Sequence, residues 1–156
     1  MTRDEMMAAM EATNTRIEAL RARLIDASET SLLTGEWRVR DALSHLAARA
    51  NPVQRALRRM ESATSGSAPQ PALDIHDENA GQVRDREDLS VAGLLDEIAA
   101  GHQAMVVDLA ALDDATLERR FPVAFPPGEL SLAEFVMRAG SGHENNHLTD
   151  IEAALG

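Results

Sequence analysis

Four stretches of this chain place apolar residues three and four apart, and the runs between them are rich in Pro, Gly and Ser. This restricts the fold more than any other feature, because a helix with one apolar stripe must bury that stripe against another element. The first stretch, about Arg3 to Asp26, sets Met6, Met10, Ile17, Leu20 and Leu24 near one face, with Arg and Glu opposite. The second follows "TGEW" and runs to about Met60 through Val39, Leu43, Leu46, Ala50, Val53 and Leu57, with Pro52 inside it to bend it. The third runs from a cap at Ser90 to about Leu112 and carries Val91, Leu94, Leu95, Ile98, Met105 and Leu109. The fourth follows "FPPGELS", where Ser131 and Glu134 have capping-box spacing, and ends at Leu155. No strand pattern competes with these. Four helices of comparable length predict an all-α protein, an antiparallel four-helix bundle. With 156 residues and 44% hydrophobic content, the chain is expected to be one domain, 1–156, around one core.

The connection between the second and third helices, "SATSGSAPQPALDIHDENAGQVRDREDL", is too long for an inert turn. Its first half reads as flexible. Its second half, about Asp74 to Asp85, has the charge density and the acidic start of a short extra helix, placed to lie over one end of the bundle and line a site.

Composition removes several chemistries. There is no Cys, so no disulfide, thiolate ligand or cysteine nucleophile exists, and any metal must be held by His, Asp, Glu or water. No apolar run reaches membrane-spanning length and the N-terminus has no apolar signal region, so a cytoplasmic protein with no membrane partner is expected. A net charge of -11 argues against phosphate-backbone binding, so no nucleic-acid partner is expected and a small-molecule substrate is. All 15 basic residues are Arg, a bias that a GC-rich genome produces without selection on function.

His143 and His147 stand four residues apart in the last helix. At about 100° per residue they share an arc with Leu132, Phe135, Val136 and Ala139, and so point with the core. One turn apart on one face is the spacing by which a helix grips a single divalent cation through two nitrogens; two buried imidazoles bonded to carbonyls would give the same spacing. A third ligand is needed. His45 is the candidate, although it lies about 120° from the middle of its own helix's apolar stripe, which by periodicity reads as surface. His102 flanks the stripe of the third helix and reads as a satisfied core residue, and His76 as a solvated loop residue. Asp41 and Asp150 have positions from which to orient a ligating imidazole. Glu144 and Asn146 flank the pair as candidate oxygen ligands or as a plain polar face.

Taken in order, three segments resemble the DinB-like superfamily of metal-binding four-helix proteins, in the branch related to the N-terminal domain of mycothiol-dependent maleylpyruvate isomerase. "GEWRVRDALSHLAARA" resembles the family's tryptophan-led second helix ending in its first ligand, which assigns His45. "DIHDENAGQVRDREDLSVAGLLDEIAAGHQAMVVDLAALDDATL" resembles its connection with a recurrent Asn, here Asn79, and its third helix. "GELSLAEFVMRAGSGHENNHLTDIEAAL" resembles its last helix with the pair His143 and His147. The resemblance implies a homodimeric bundle with a divalent metal, zinc or nickel, on His45, His143 and His147, and with Asn79 beside the open position. It also implies a low-molecular-weight thiol, mycothiol or bacillithiol, as co-substrate in S-transfer or isomerisation. Few aromatics and broad apolar coverage on the first and third helices point to the same homodimer. Two other readings stay open: a binding protein in which the metal only staples two helices, and a metal-free dimerising bundle.

Overall fold

The computed structural model describes residues 1–66, 75–124 and 127–156. Helix α1 spans Arg3–Asp26. Its start is fixed reciprocally: the Glu5 amide donates to Thr2 Oγ1 at 3.2 Å, and the Thr2 amide donates to Glu5 Oε2 at 2.7 Å. It buries Met6, Met10, Thr13, Ile17, Leu20 and Leu24, the stripe read from its period. The second rod is two helices, α2 (Val39–Arg49) and α3 (Val53–Thr64), parted at Pro52, which has no N–H to give to the helical ladder. The extra helix of the long connection is α4, Ile75–Arg84; the expected start at Asp74 and most of the Ser- and Pro-rich run before it lie outside the described residues. The third rod, α5 (Val91–Ala111), begins where Ser90 Oγ accepts from the Gly93 amide at 3.0 Å.

After the short α6 (Asp114–Glu118) comes an element that the periodicity does not reveal. Strands β1 (Arg120–Val123) and β2 (Gly128–Ser131) form an antiparallel hairpin with Phe121 opposite Leu130. Four residues are too few for alternation to register against a helical background. The hairpin sets buried Phe121 against Phe135, ring centroids 5.5 Å apart. The fourth rod then starts on the Ser131–Glu134 capping box as α7 (Leu132–Met137), passes through a π-turn at Arg138–Gly142, and continues as α8 (His143–Leu155). No described helix is long and apolar enough to cross a membrane.

The rods form the expected four-helix bundle, two running each way. Arg40 Nη2, near the start of α2, donates to the carbonyls of Glu87 and Leu89 just before α5, at 2.9 and 3.0 Å. Further along both rods, Asn51 Nδ2 donates to Asp108 Oδ2 at 2.8 Å. The second and third rods therefore share a direction, and the chain must travel back along the bundle between them. This is the physical reason for the long connection, and it lays α4 along α2.

A polar belt divides the interior. One apolar cluster holds Ile17, Leu20, Leu43, Leu46, Leu94 and Leu148; the other holds Met6, Met10, Met60, Met105, Phe121 and Phe135. Between them every rod breaks its apolar pattern, at Thr13 and Asn14, at Asn51 and Pro52, at Gly101 and His102, and from Gly140 to Glu144. The two glycines allow close approach. A Cβ on Gly101 would stand 2.4 Å from Ala50 Cβ, and one on Gly140 would stand 3.2 Å from Pro52 Cγ. His102 and Glu144, 2% and 3% exposed, satisfy each other in this layer, with His102 Nε2 2.9 Å from Glu144 Oε1 and Nδ1 2.5 Å from Asn14 Oδ1. His102 is thus the satisfied core residue expected.

Candidate metal centre

The π-turn decides where the last helix points its histidines. It takes one more residue per turn than an α-helix, and Gly140 departs from helical geometry there (φ -99°, ψ -112°). The buried stripe therefore shifts by one residue, passing from Leu132, Phe135 and Val136 to Glu144, Leu148 and Ile151. The uniform-helix expectation that His143 and His147 point with the core is corrected: both are half-buried on the flank, turned toward α2. Glu144 takes the core position and bonds His102, so it is no ligand candidate, and Asn146 is exposed. Asn145 secures the turn, its Nδ2 donating to Ser141 O at 2.8 Å and to Thr13 Oγ1 at 2.9 Å on α1.

His45 meets them from α2. Periodicity assigns it to a surface, yet it is 3% exposed, and Asp41 through Ala47 are all buried. The discrepancy has a simple cause. A one-sided stripe describes a helix with one neighbour, whereas α2 packs against α5, α4 and α8. His45 Nδ1 donates to Gln82 Oε1 on α4 at 2.7 Å, which leaves the lone pair on Nε2. That Nε2 is 2.9 Å from His143 Nε2. One ring nitrogen from each of His45, His143 and His147 lies within 4.8 Å of the others. Ring centroids are 5.0 Å apart for His45 and His143, 5.1 Å for His45 and His147, and 4.6 Å for His143 and His147.

This geometry suits one ion. Metal–nitrogen distances of about 2.0 to 2.1 Å in a tetrahedron place ligands about 3.3 Å apart; the His45 and His143 nitrogens stand 2.9 Å apart, and the His147 nitrogen lies within 4.8 Å of both. Among the described residues no carboxylate joins the set, so three neutral nitrogens would hold the cation with a further position left for a ligand. The electrostatics agree. Burial pushes the His45 imidazole down to about 4, against the opposing hydrogen bond from Gln82, with the positive charges of Arg49 and Arg55 adding to the drop. Burial, then the other two imidazoles and the same arginines, push His143 to about 3. Burial also lowers His147, while the Asp150 carboxylate opposes it. All three are neutral near pH 7, with lone pairs free for a metal.

The surrounding shell was only partly legible. Trp37 lies over the site, its ring centroid 5.1 Å from that of His45 and 6.0 Å from that of His147. Asp41 orients no imidazole; it accepts from the Arg38 backbone amide at 2.9 Å and pairs with the Arg38 guanidinium. Asp150 is exposed and acts on His147 through its charge. The partner that does orient a ligand candidate, Gln82, carried no signal of its own; its one sequence clue is its place three residues after Asn79 on the same helix face. Asn79 is half-buried and its Oδ1 accepts from Arg49 Nη2 at 3.3 Å, while Glu78 pairs with Arg49, also at 3.3 Å. His76 sits exposed on α4.

Among solved structures, the fold is similar to that of the colibactin self-resistance protein ClbS in complex with dsDNA (TM-score 0.72, 12% identity, 97% of this chain and 94% of that one). It is also similar to YfiT from Bacillus subtilis, a probable metal-dependent hydrolase with an unusual four-helix bundle topology (TM-score 0.71, 19% identity, 97% and 85%). A third similar structure is a mutant of the mycothiol-dependent maleylpyruvate isomerase (TM-score 0.68, 13% identity), where 97% of this chain covers 61% of that one. No curated protein matches the sequence significantly. The ClbS complex overturns the expectation that no nucleic acid is a partner, since the same fold is found on duplex DNA. Net charge is a sum over the whole surface, whereas a phosphate meets only the local field, so an acidic total does not by itself exclude such a partner. A sequence model of the DinB superfamily matches residues 2–151, and with the four-rod bundle and the histidine cluster in place, the chain belongs to the DinB superfamily.

Proposed function

We propose that this protein is a divalent-metal-dependent enzyme in which His45, His143 and His147 hold the cation, with Asn79 at the edge of the open position. In this reading it uses a low-molecular-weight thiol, mycothiol or bacillithiol, in S-transfer or isomerisation. The observation that carries the reading is the convergence of three neutral ring nitrogens from two helices within 4.8 Å, with no carboxylate among them. A cation held there supplies Lewis acidity, which lowers the pKa of a thiol or water at the remaining position. The chain's own residues prepare that chemistry. Gln82 fixes the His45 tautomer, burial keeps the imidazoles unprotonated, and the Trp37 ring limits water at one side. Three neutral ligands leave the ion's charge undiminished, whereas each carboxylate would reduce it. With no cysteine in the chain, the sulfur must come from a soluble thiol.

A hydrolase reading, favoured by the likeness to YfiT, uses the same ligands and needs no thiol. Metal analysis of the purified protein comes first, with about one zinc or nickel per chain expected. A screen of electrophilic substrates with and without mycothiol or bacillithiol then separates the two: thiol-dependent turnover supports S-transfer, and equal turnover without thiol favours hydrolysis. A folded protein that takes up no divalent metal would sink both.

A further inference from the structure

Arg55 is the anomaly of the described structure. The protein has 26 carboxylates to 15 guanidiniums, so a cation lacking a carboxylate partner is not explained by scarcity. Yet Arg55 forms no hydrogen bond or ion pair among the described residues, and its Nε is buried without a partner. Such a group normally costs stability unless something satisfies it. Its neighbours make the isolation worse. The charges of Arg49, Arg59 and Arg58 all act on it, and burial with these neighbours pushes the guanidinium down to about 10. Glu78 is the one carboxylate whose charge is felt there, and it is already paired with Arg49.

Its position gives the isolation a meaning. Arg55 sits three residues after Pro52, which packs on Gly140, itself three residues before His143. Its charge is felt at both His45 and His143. A guanidinium beside a dication is repulsive unless an anion lies between them. We infer that Arg55, with Arg49 and Arg59 reinforcing its field, is the receptor for a carboxylate on the substrate, which makes the substrate a small organic acid held between this arginine and the metal position. This inference rests on the metal reading proposed above. A carboxylate fits better than a phosphate because the partly buried setting charges more for desolvating a dianion than a monoanion. A planar carboxylate also matches the guanidinium fork. A duplex backbone, a row of exposed phosphates, has little use for a buried Nε.

The test is calorimetric titration of malonate into zinc-loaded and metal-free protein, wild type and Arg55→Gln, with inorganic phosphate and a 20-base-pair DNA duplex as further probes. Arg55→Gln should weaken malonate binding by about ten- to a hundredfold, the loss typical of one charged hydrogen-bonding partner, while zinc stoichiometry stays that of wild type. Arg21→Gln, the same charge change at a half-buried arginine of α1 that pairs with Glu18 and Asp96, should stay within about twofold. If Arg55→Gln does not fold, judged by circular dichroism, Arg55→Lys carries the test with a smaller loss, since the charge remains and the fork does not. Malonate binding unchanged by either substitution, or no malonate binding by wild type, overturns the assignment. So does tighter Arg55-dependent binding of phosphate or of the duplex, which would give the cluster to a different ligand. A failure of the metal reading looks different: wild type takes up no zinc, while malonate still binds in an Arg55-dependent way.

Discussion

Removing the Gln82 side chain isolates the part of the site that lies outside the three histidines. The His45 Nδ1–H bond to Gln82 Oε1 is short, 2.7 Å, and it is the one hydrogen bond of that nitrogen among the described residues. Because His45 is 3% exposed, water cannot easily replace the lost acceptor in Gln82→Ala. Two costs follow. In the metal-free protein an N–H is left buried and unmet, worth about 1 to 3 kcal/mol of stability. In the metal-bound protein the ring loses its fixed tautomer and some basicity, and the loss of such an outer partner typically lowers affinity about 10- to 100-fold, or about 1.4 to 2.7 kcal/mol. The Arg49 Nε bond to the same oxygen, at 3.4 Å, is long and adds little. Competition with a chromophoric zinc chelator measures the affinity, and urea unfolding of the metal-free protein measures the stability. Gln82→Glu supplies a carboxylate at the same place and should keep wild-type affinity or exceed it. Zinc affinity within twofold of wild type in folded Gln82→Ala, or an equal loss in Gln82→Glu, would refute the claim that this hydrogen bond sets the ligand.

Metal-free protein should lose stability in acid. Folded-state values of about 4 for His45 and about 3 for His143 lie below the unfolded value of about 6.5, so the unfolded chain binds more protons, and stability falls as pH drops from about 6.5 toward 3. The slope is at most about 1.4 kcal/mol per pH unit for each histidine, and urea midpoints at pH 7 and pH 5 check it; equal midpoints count against the buried neutral triad. Gly101→Ala forces a methyl to within 2.4 Å of Ala50 Cβ, so overpacking of about 1 to 3 kcal/mol should outweigh a helix-propensity gain of about 0.5 to 1 kcal/mol. A more stable variant in urea would show that the two helices part freely. His147→Ala should lower zinc occupancy with the helical circular dichroism retained. His102→Ala should keep its zinc and lose about 1 to 3 kcal/mol of stability, because Glu144 is left buried without its hydrogen-bond partner. The opposite ordering in metal analysis would place the metal in the polar belt instead.

Periodicity and capping chemistry were enough for the rods. The stripe from Met6 to Leu24, the caps at Ser90 and Ser131, and the break at Pro52 are local properties, decided within a few residues, and the structure has each of them. The His143 and His147 spacing was equally local, one turn of one helix. What the sequence could not carry was anything needing a second element. His45 is buried because α4 and α8 cover the side of α2 that its own stripe leaves open, and no pattern within α2 records its neighbours. The phase of the last helix depends on a π-turn at Gly140, packed on Pro52 far away in sequence, which moves Glu144 into the core and turns the two imidazoles toward His45. Gln82 and Arg55 were invisible for the same reason. An amide on a helix and an arginine among fifteen look ordinary until the fold puts one against a buried imidazole and buries the Nε of the other without a partner. Hydrophobic spacing determines which residues a helix buries, but chemistry at the site depends on distances between helices, and those follow from packing the whole bundle at once.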